Sequence, residues 1–133
     1  MRKPRPMAQR QRHADAPLAI DAFGEGGFRI AGDRHEGSIK LFAGQALAWP
    51  MPSGADAKSL TADDFAVFVE AQTRPDVVVL GVGARMRHPA PEVRKLFRDS
   101  GIGLEVADTP TACRIYNIIA GEARRVGAAL IAV

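Results

Sequence analysis

The sequence predicts an α/β domain with helices lying over a mixed β-sheet, entered through a β-rich segment that contains a hairpin. Two observations carry this. The stretch Asp76-Val77-Val78-Val79-Leu80-Gly81-Val82 is a continuous apolar run, as expected of a strand covered on both faces. Around and after it, segments of helical period alternate with segments of strand period, the pattern of helices packed on a sheet.

The elements follow in order. Ile20 to Phe23 and Phe28 to Ala31 are short apolar runs flanking Gly24-Glu25-Gly26-Gly27; glycines supply the positive backbone angles of a tight turn, so a β-hairpin is expected. Gly37 to Leu41 alternates apolar with polar, and Gln45 to Trp49 forms another strand stopped by Pro50 and Pro52. Thr61 is placed to cap a helix with Asp63 and Asp64 in its first turn; Phe65, Phe68 and Val69 share one face, and the helix is expected to end near Thr73, before Pro75. Pro91 suits the first turn of a second helix, with Val93, Leu96 and Phe97 inward and Gly101 as its stop. Ile102, Leu104 and Val106 alternate as a strand. Thr109-Pro110 opens a third helix, a capping hydroxyl followed by a proline where no donor is needed, and Gly121 ends it. Its inner face is Ala112, Cys113, Tyr116, Ile119 and Ala120, and Val126 to Val133 closes the sheet.

The chain of 133 residues is 47% hydrophobic, enough for one core-bearing domain, assigned to 17–133. Residues 1–16 lack apolar periodicity and are expected to form a disordered basic tail. Five basic residues against Asp15 give that tail a balance of +4, so with a total of +3 the remainder carries −1. The basic character belongs to the tail, which argues against a phosphate-binding face on the domain; binding of nucleic acid through the tail alone would be strongly salt-dependent. No apolar run approaches the roughly 20 residues of a membrane helix. The single cysteine excludes an internal disulfide, and three dispersed histidines argue against a zinc site. No metal or cofactor is expected, and a cytoplasmic location, peripheral to a membrane, fits this composition.

For chemistry, position says more than motif. Leu80-Gly81-Val82-Gly83 leaves a strand, but Met86 stands where a dinucleotide loop needs its third glycine, and Pro89 and Pro91 precede the next helix. If the two apolar strands are parallel, their carboxyl ends share one edge, where open α/β sheets bind ligands. That edge gathers Gly81, Gly83, Arg85 and Arg87 from one loop and Asp108, Thr109 and the start of the third helix from the other. Free N–H groups there would attract a small anion or an acidic side chain. Cys113, in the first turns of that helix, is the candidate nucleophile with His88 as candidate base, against the reading of a buried, inert thiol. Asn117 and Tyr116 are polar groups in an apolar helix, expected to bond a neighbouring loop and fix the packing. Glu122 is placed to pair with Arg124 and Arg125, and Trp49 to serve as core edge or partner anchor.

The runs Leu80 to Gly83, Gly101 to Val106, Asp108 to Asn117 and Glu122 to Val126, with Phe28-Arg29-Ile30, Gly37-Ser38-Ile39 and Trp49-Pro50 upstream, together resemble a small domain-of-unknown-function family first seen in an archaeal methanogen protein. Its members include a mitochondrial respiratory complex I assembly factor and an adipogenesis-associated protein. The resemblance covers roughly residues 18–133, the part expected to be ordered. It implies a three-layer α/β fold with a β-hairpin subdomain beside a central mixed sheet, no established enzyme activity, and protein partners among subunits of a membrane-associated complex. Gly127, where an alanine would be unremarkable, and the basic tail depart from the family pattern. The expected function is a non-catalytic interaction module using Gly81, Gly83, Arg85, Asp108, Thr109 and Arg114, with Tyr116 and Asn117 supporting the geometry. The alternative is a ligand-binding protein or cysteine-dependent enzyme using the same edge around Thr109 and Cys113.

Overall fold

The computed structural model describes residues 16–51 and 56–133. The expected basic tail, apart from Ala16, and the stop at Pro52 lie outside the described residues. The first strands, β1 (Ile20–Gly24), β2 (Gly27–Ile30) and β3 (Asp33–Glu36), form an antiparallel three-stranded sheet. The expected hairpin is therefore extended by a strand that the polar run Asp33-Arg34-His35-Glu36 did not announce. The central sheet is mixed: β4 (Ile39–Phe42), β5 (Gln45–Ala48), β6 (Val77–Gly81), β7 (Gly103–Ala107) and β8 (Val126–Leu130) lie in the order β5-β4-β8-β6-β7. β6 runs parallel to both β7 and β8, while β4 is antiparallel to β5 and β8.

Three two-residue turns join the antiparallel strands, and each has the form X-Gly with both backbone angles positive. They are Glu25-Gly26 (φ 54° and 77°), Ala31-Gly32 (48° and 90°) and Ala43-Gly44 (53° and 74°). Positive φ at both central residues defines the type I′ turn, whose twist matches that of the strands it joins.

Every residue of β6 and β8 is buried, so the apolar run is the doubly covered strand its composition indicated. Alternate residues face opposite ways. Val77, Val79, Ala128 and Leu130 join a core with Phe28 and Ile30 of the small sheet and with Ala112, Cys113, Tyr116 and Ile119. Val78, Leu80 and Ala129 join a second core with Trp49, Phe65, Phe68, Val93 and Phe97. This gives three layers. Helix α3 (Thr109–Ala120) shares one outer layer with the small sheet; α2 (Pro91–Ser100) and α1 (Ala66–Val69) make the other.

The helix expected from Thr61 to Thr73 is shorter. It begins as a 3₁₀ turn, Ala62–Phe65, and α1 ends at Val69. Its last turn is capped from outside: Arg74 donates from Nε to the Val69 carbonyl at 2.8 Å and from Nη1 to the Ser100 carbonyl at 3.0 Å. At its start Asp64 accepts the Thr61 N–H at 2.8 Å and the Trp49 indole N–H at 3.1 Å. Trp49 is thus a core residue, with Lys40 Nζ over its ring at 5.3 Å. Gly101 stops α2 in the left-handed conformation, φ 72°.

Gly127 corrects an expectation. A Cβ there would stand 2.7 and 3.0 Å from two ring carbons of Phe68 and 3.4 Å from the Leu41 carbonyl. Phe68 packs edge-on against Phe42 with ring centroids 5.6 Å apart, so its ring is held over β8. Glycine is what lets it sit there, and an alanine would not be neutral.

Candidate functional site

The connections explain why the strand ends meet. The chain leaves β6 towards β7 through α2 on one face, then returns from β7 past β6 to β8 through α3 on the other face. Crossovers of one hand that run in opposite directions place their helices on opposite faces. The carboxyl ends of β6 and β7, paired as Gly81 with Ala107, are therefore the switch point at which such sheets usually open a crevice.

Here the crevice is stitched closed. The Val82 N–H donates to the Ala107 carbonyl at 3.0 Å and the Thr109 N–H to the Gly83 carbonyl at 2.8 Å. The Thr109 hydroxyl accepts the Gly83 N–H at 2.9 Å and donates to the Ile131 carbonyl at 2.7 Å. Thr109 is fully buried. A Cβ on Gly81 would lie 2.9 Å from that hydroxyl and 3.0 Å from Leu130 Cδ2, so glycine allows α3 to seat on β6. The two distant segments meet as the sequence predicts, and their inner members form a brace.

The helix start is also spoken for. Asp108, not Thr109, is the N-cap: its carboxylate accepts the Thr111 N–H at 2.8 Å and the Thr111 hydroxyl at 3.0 Å. Those bonds hold the Asp108 carboxyl below its ordinary pKa, with nearby Arg114 adding a smaller effect. The Ala112 N–H donates to the Asp108 carbonyl at 2.8 Å, Thr109 is bonded to Gly83, and Pro110 has no N–H. The donors expected to hold a small anion are thus engaged within the protein, beside a carboxylate that would repel one.

Cys113 is buried in the core, and loss of solvation raises its thiol pKa to about 11. Such a thiol is not a nucleophile at neutral pH. His88 is exposed, with Nδ1 3.2 Å from Arg94 Nη2 on α2, a helix of the opposite layer from Cys113. The cysteine-dependent alternative has no support in this arrangement. Among the described residues, no cluster of His, Cys, Asp or Glu could hold a metal ion.

Tyr116 and Asn117 face elsewhere than the strand-end edge. The buried Tyr116 hydroxyl donates to the Leu18 carbonyl at 2.8 Å, and burial raises its pKa. Asn117 accepts the Ile20 N–H at 3.0 Å and donates to the Ile20 carbonyl at 2.8 Å. This two-point clamp fastens β1 to α3 where the β1–β2 register is irregular. Both residues fix packing, as expected, but of the small sheet. Arg114 is exposed and reaches the Pro110 carbonyl at 3.4 Å. Arg85 and Arg87 are exposed on the loop leaving Gly83 and flank Met86, itself 43% exposed. The expected pairing of Glu122 with the following arginines is replaced by one from Arg125 to Asp76, 4.0 Å apart.

The family described as "Protein of unknown function (DUF498/DUF598)" matches residues 20–131. The chain belongs to this family. The human protein named NADH dehydrogenase (ubiquinone) 1 alpha subcomplex assembly factor 3 is 36% identical over 121 residues, covering 91% of this chain and 64% of that protein. The chain therefore spans a little less than two thirds of that relative. A crystal structure from Bartonella henselae, described as an outer membrane protein, matches with a TM-score of 0.80 at 30% identity, covering 91% of this chain and 99% of the other. The solution structure of a Bordetella pertussis protein described as an Mth938-like domain matches with a TM-score of 0.67 at 27% identity, covering 98% and 90%. The α/β fold with its N-terminal antiparallel sheet is thus the DUF498/DUF598 fold. No helix of the described residues is long and apolar enough to cross a membrane.

Proposed function

We propose that this chain is a non-catalytic protein-interaction module that serves the assembly of a membrane-bound respiratory complex, complex I foremost, working from the cytoplasmic side at the membrane surface. The observation that carries the reading is its 36% identity, over 91% of its length, to a protein named as an assembly factor of NADH dehydrogenase. The strand-end edge supplies the docking face. Gly81, Gly83, Thr109 and Asp108 hold the loop root rigid, and Arg85, Met86, Arg87 and Arg114 present an apolar side chain among cations. Methionine and arginine are enriched in interface cores, and a rigid root lowers the ordering cost of binding. The buried, protonated Cys113 thiol fits a role without covalent chemistry.

Affinity purification from mild detergent extracts tests it. The tagged chain should retain subunits of NADH dehydrogenase, and a triple variant R85E/M86D/R87E with unchanged thermal midpoint should lose them. Recovery of no respiratory subunit by the unaltered chain, with or without residues 1–16, would sink the proposal.

A further inference from the structure

At the end of the central sheet opposite Gly83, five chain segments enclose a cleft of about 440 Å³. That volume lies within the roughly 300–1,000 Å³ range of small-molecule sites. Its wall is apolar, from Phe42 and Ala43 at the β4–β5 turn, Ala71 after α1, and Val126 at the start of β8. The mouth carries Arg124 and Arg125, both exposed.

The two arginines are not equivalent. Arg125 is compensated: its N–H donates to Asp76 Oδ2 at 2.9 Å, its Nε to the Arg74 carbonyl at 3.3 Å, and its Nη2 lies 4.0 Å from Asp76 Oδ1. Arg124 makes no ion pair or side-chain hydrogen bond among the described residues. The Tyr116 hydroxyl, also in the wall, is committed to Leu18. Glu122, in the same turn as Arg124, lines no part of the cleft. Among the described residues, what remains is an apolar hollow with one unpaired cation at its lip.

We propose that this cleft binds a monoanionic amphiphile, a carboxylate carrying an alkyl chain, with the chain against Phe42, Ala71 and Val126 and the carboxylate on the Arg124 guanidinium. Apolar burial supplies affinity and the charge-assisted bond sets orientation. The site is independent of the strand-end docking face and stands or falls apart from it.

Amide NMR spectra of the full chain titrated with decanoate, below its micelle-forming concentration, provide the test. Saturable shifts should centre on Ala43, Gly44, Ala71, Thr73 and Val126. Arg124→Gln should weaken decanoate by about fivefold, the scale of one partly exposed charge-assisted contact, and leave binding of neutral decanol unchanged. Ala71→Phe, filling the hollow, should abolish both while amides of β6 and α2 keep their positions. Scattered or non-saturating shifts, or equal weakening of decanoate and decanol by Arg124→Gln, would overturn the assignment. Vesicles of phosphatidylglycerol form a separate arm: sedimentation of the chain with them, without any response to monomeric decanoate, would also overturn it, pointing to a bilayer surface instead of a soluble ligand.

Discussion

The two sheets of this molecule are built from similar turns and held by different forces. The central sheet is covered on both faces: β6 and β8 are buried along their whole length, and side chains from both outer layers close over them. The small sheet buries one face, through Phe28 and Ile30, while Ala22 and Arg29 on its other face are exposed. Its attachment leans on directional contacts: the Asn117 clamp on Ile20, the Tyr116 bond to Leu18, and the bond from the Gly26 N–H to the Val133 carbonyl at 2.8 Å. Apolar burial is spread over many atoms and is lost only when the whole element leaves. A few hydrogen bonds can be lost one by one. The central sheet should therefore unfold as the global unit and the small sheet as a weaker, separable one.

The largest effect that bears on this contrast comes from Thr109. Thr109→Val keeps the shape and removes the hydroxyl, leaving the Gly83 N–H and the Ile131 carbonyl short of a partner in a buried place. Each such group costs about 1–3 kcal/mol, so a loss of about 3 kcal/mol is expected. It should appear as a lower urea midpoint at unchanged slope, because the brace belongs to the global unit. Thr109→Ser should recover most of it. A Thr109→Val protein as stable as the unaltered chain would show that the switch point is not what holds β6, β8 and α3 together.

This brace also shows where the sequence was legible. The meeting of Gly81 with Thr109 follows from strand period, chain direction and the reversal of connections, all properties of long segments. The inward direction of one hydroxyl does not follow. Thr109-Pro110 satisfies every local rule for a cap followed by a first-turn proline, yet Asp108, one residue earlier, takes the cap, and Thr109 is released to bond the carbonyl of Ile131, 22 residues away and just past the end of β8. The strand β3 was hidden for another reason. Asp33 to Glu36 lies at the sheet edge and carries no fully buried residue, so the apolar signal that marks other strands is missing there. At Gly127 the sequence gives no sign of the need for glycine, because the constraint comes from Phe68, on a different element. The cleft is built from five short segments, none with a motif of its own, and no one-dimensional pattern could reveal it.

A middle-sized effect is expected at Asn117. Asn117→Ala removes both bonds to Ile20, and a partly exposed pair of that kind contributes about 1–2 kcal/mol. Native-state hydrogen exchange with added urea distinguishes the two units. Amides of β1–β3 should exchange through an opening with a small urea dependence, and those of β6 and β8 through one with the full global slope. The substitution should speed β1–β3 exchange by about tenfold without changing that small slope. If both sheets show the global slope from the outset, they form one unit and the contrast fails.

The smallest effect is the most direct comparison, because the same local chemistry occurs in both sheets. Ala31 and Ala43 each hold the first position of a type I′ turn, at φ 48° and 53°, and each is followed by glycine. Asparagine tolerates this left-handed conformation better than alanine, and Asn-Gly is the favoured pair. Ala31→Asn and Ala43→Asn should therefore each gain about 0.5–1 kcal/mol. The gain should be read in different places. Ala31→Asn should slow exchange of β2 and β3 by about two- to fivefold and leave the main urea midpoint in place, since the small sheet has already opened when the rest unfolds. Ala43→Asn, in the β4–β5 turn of the central sheet, should raise the main midpoint itself. Equal midpoint shifts for the two variants would mean that the small sheet stays closed until the central sheet gives way, and that its few directional bonds are as strong as the doubly covered core.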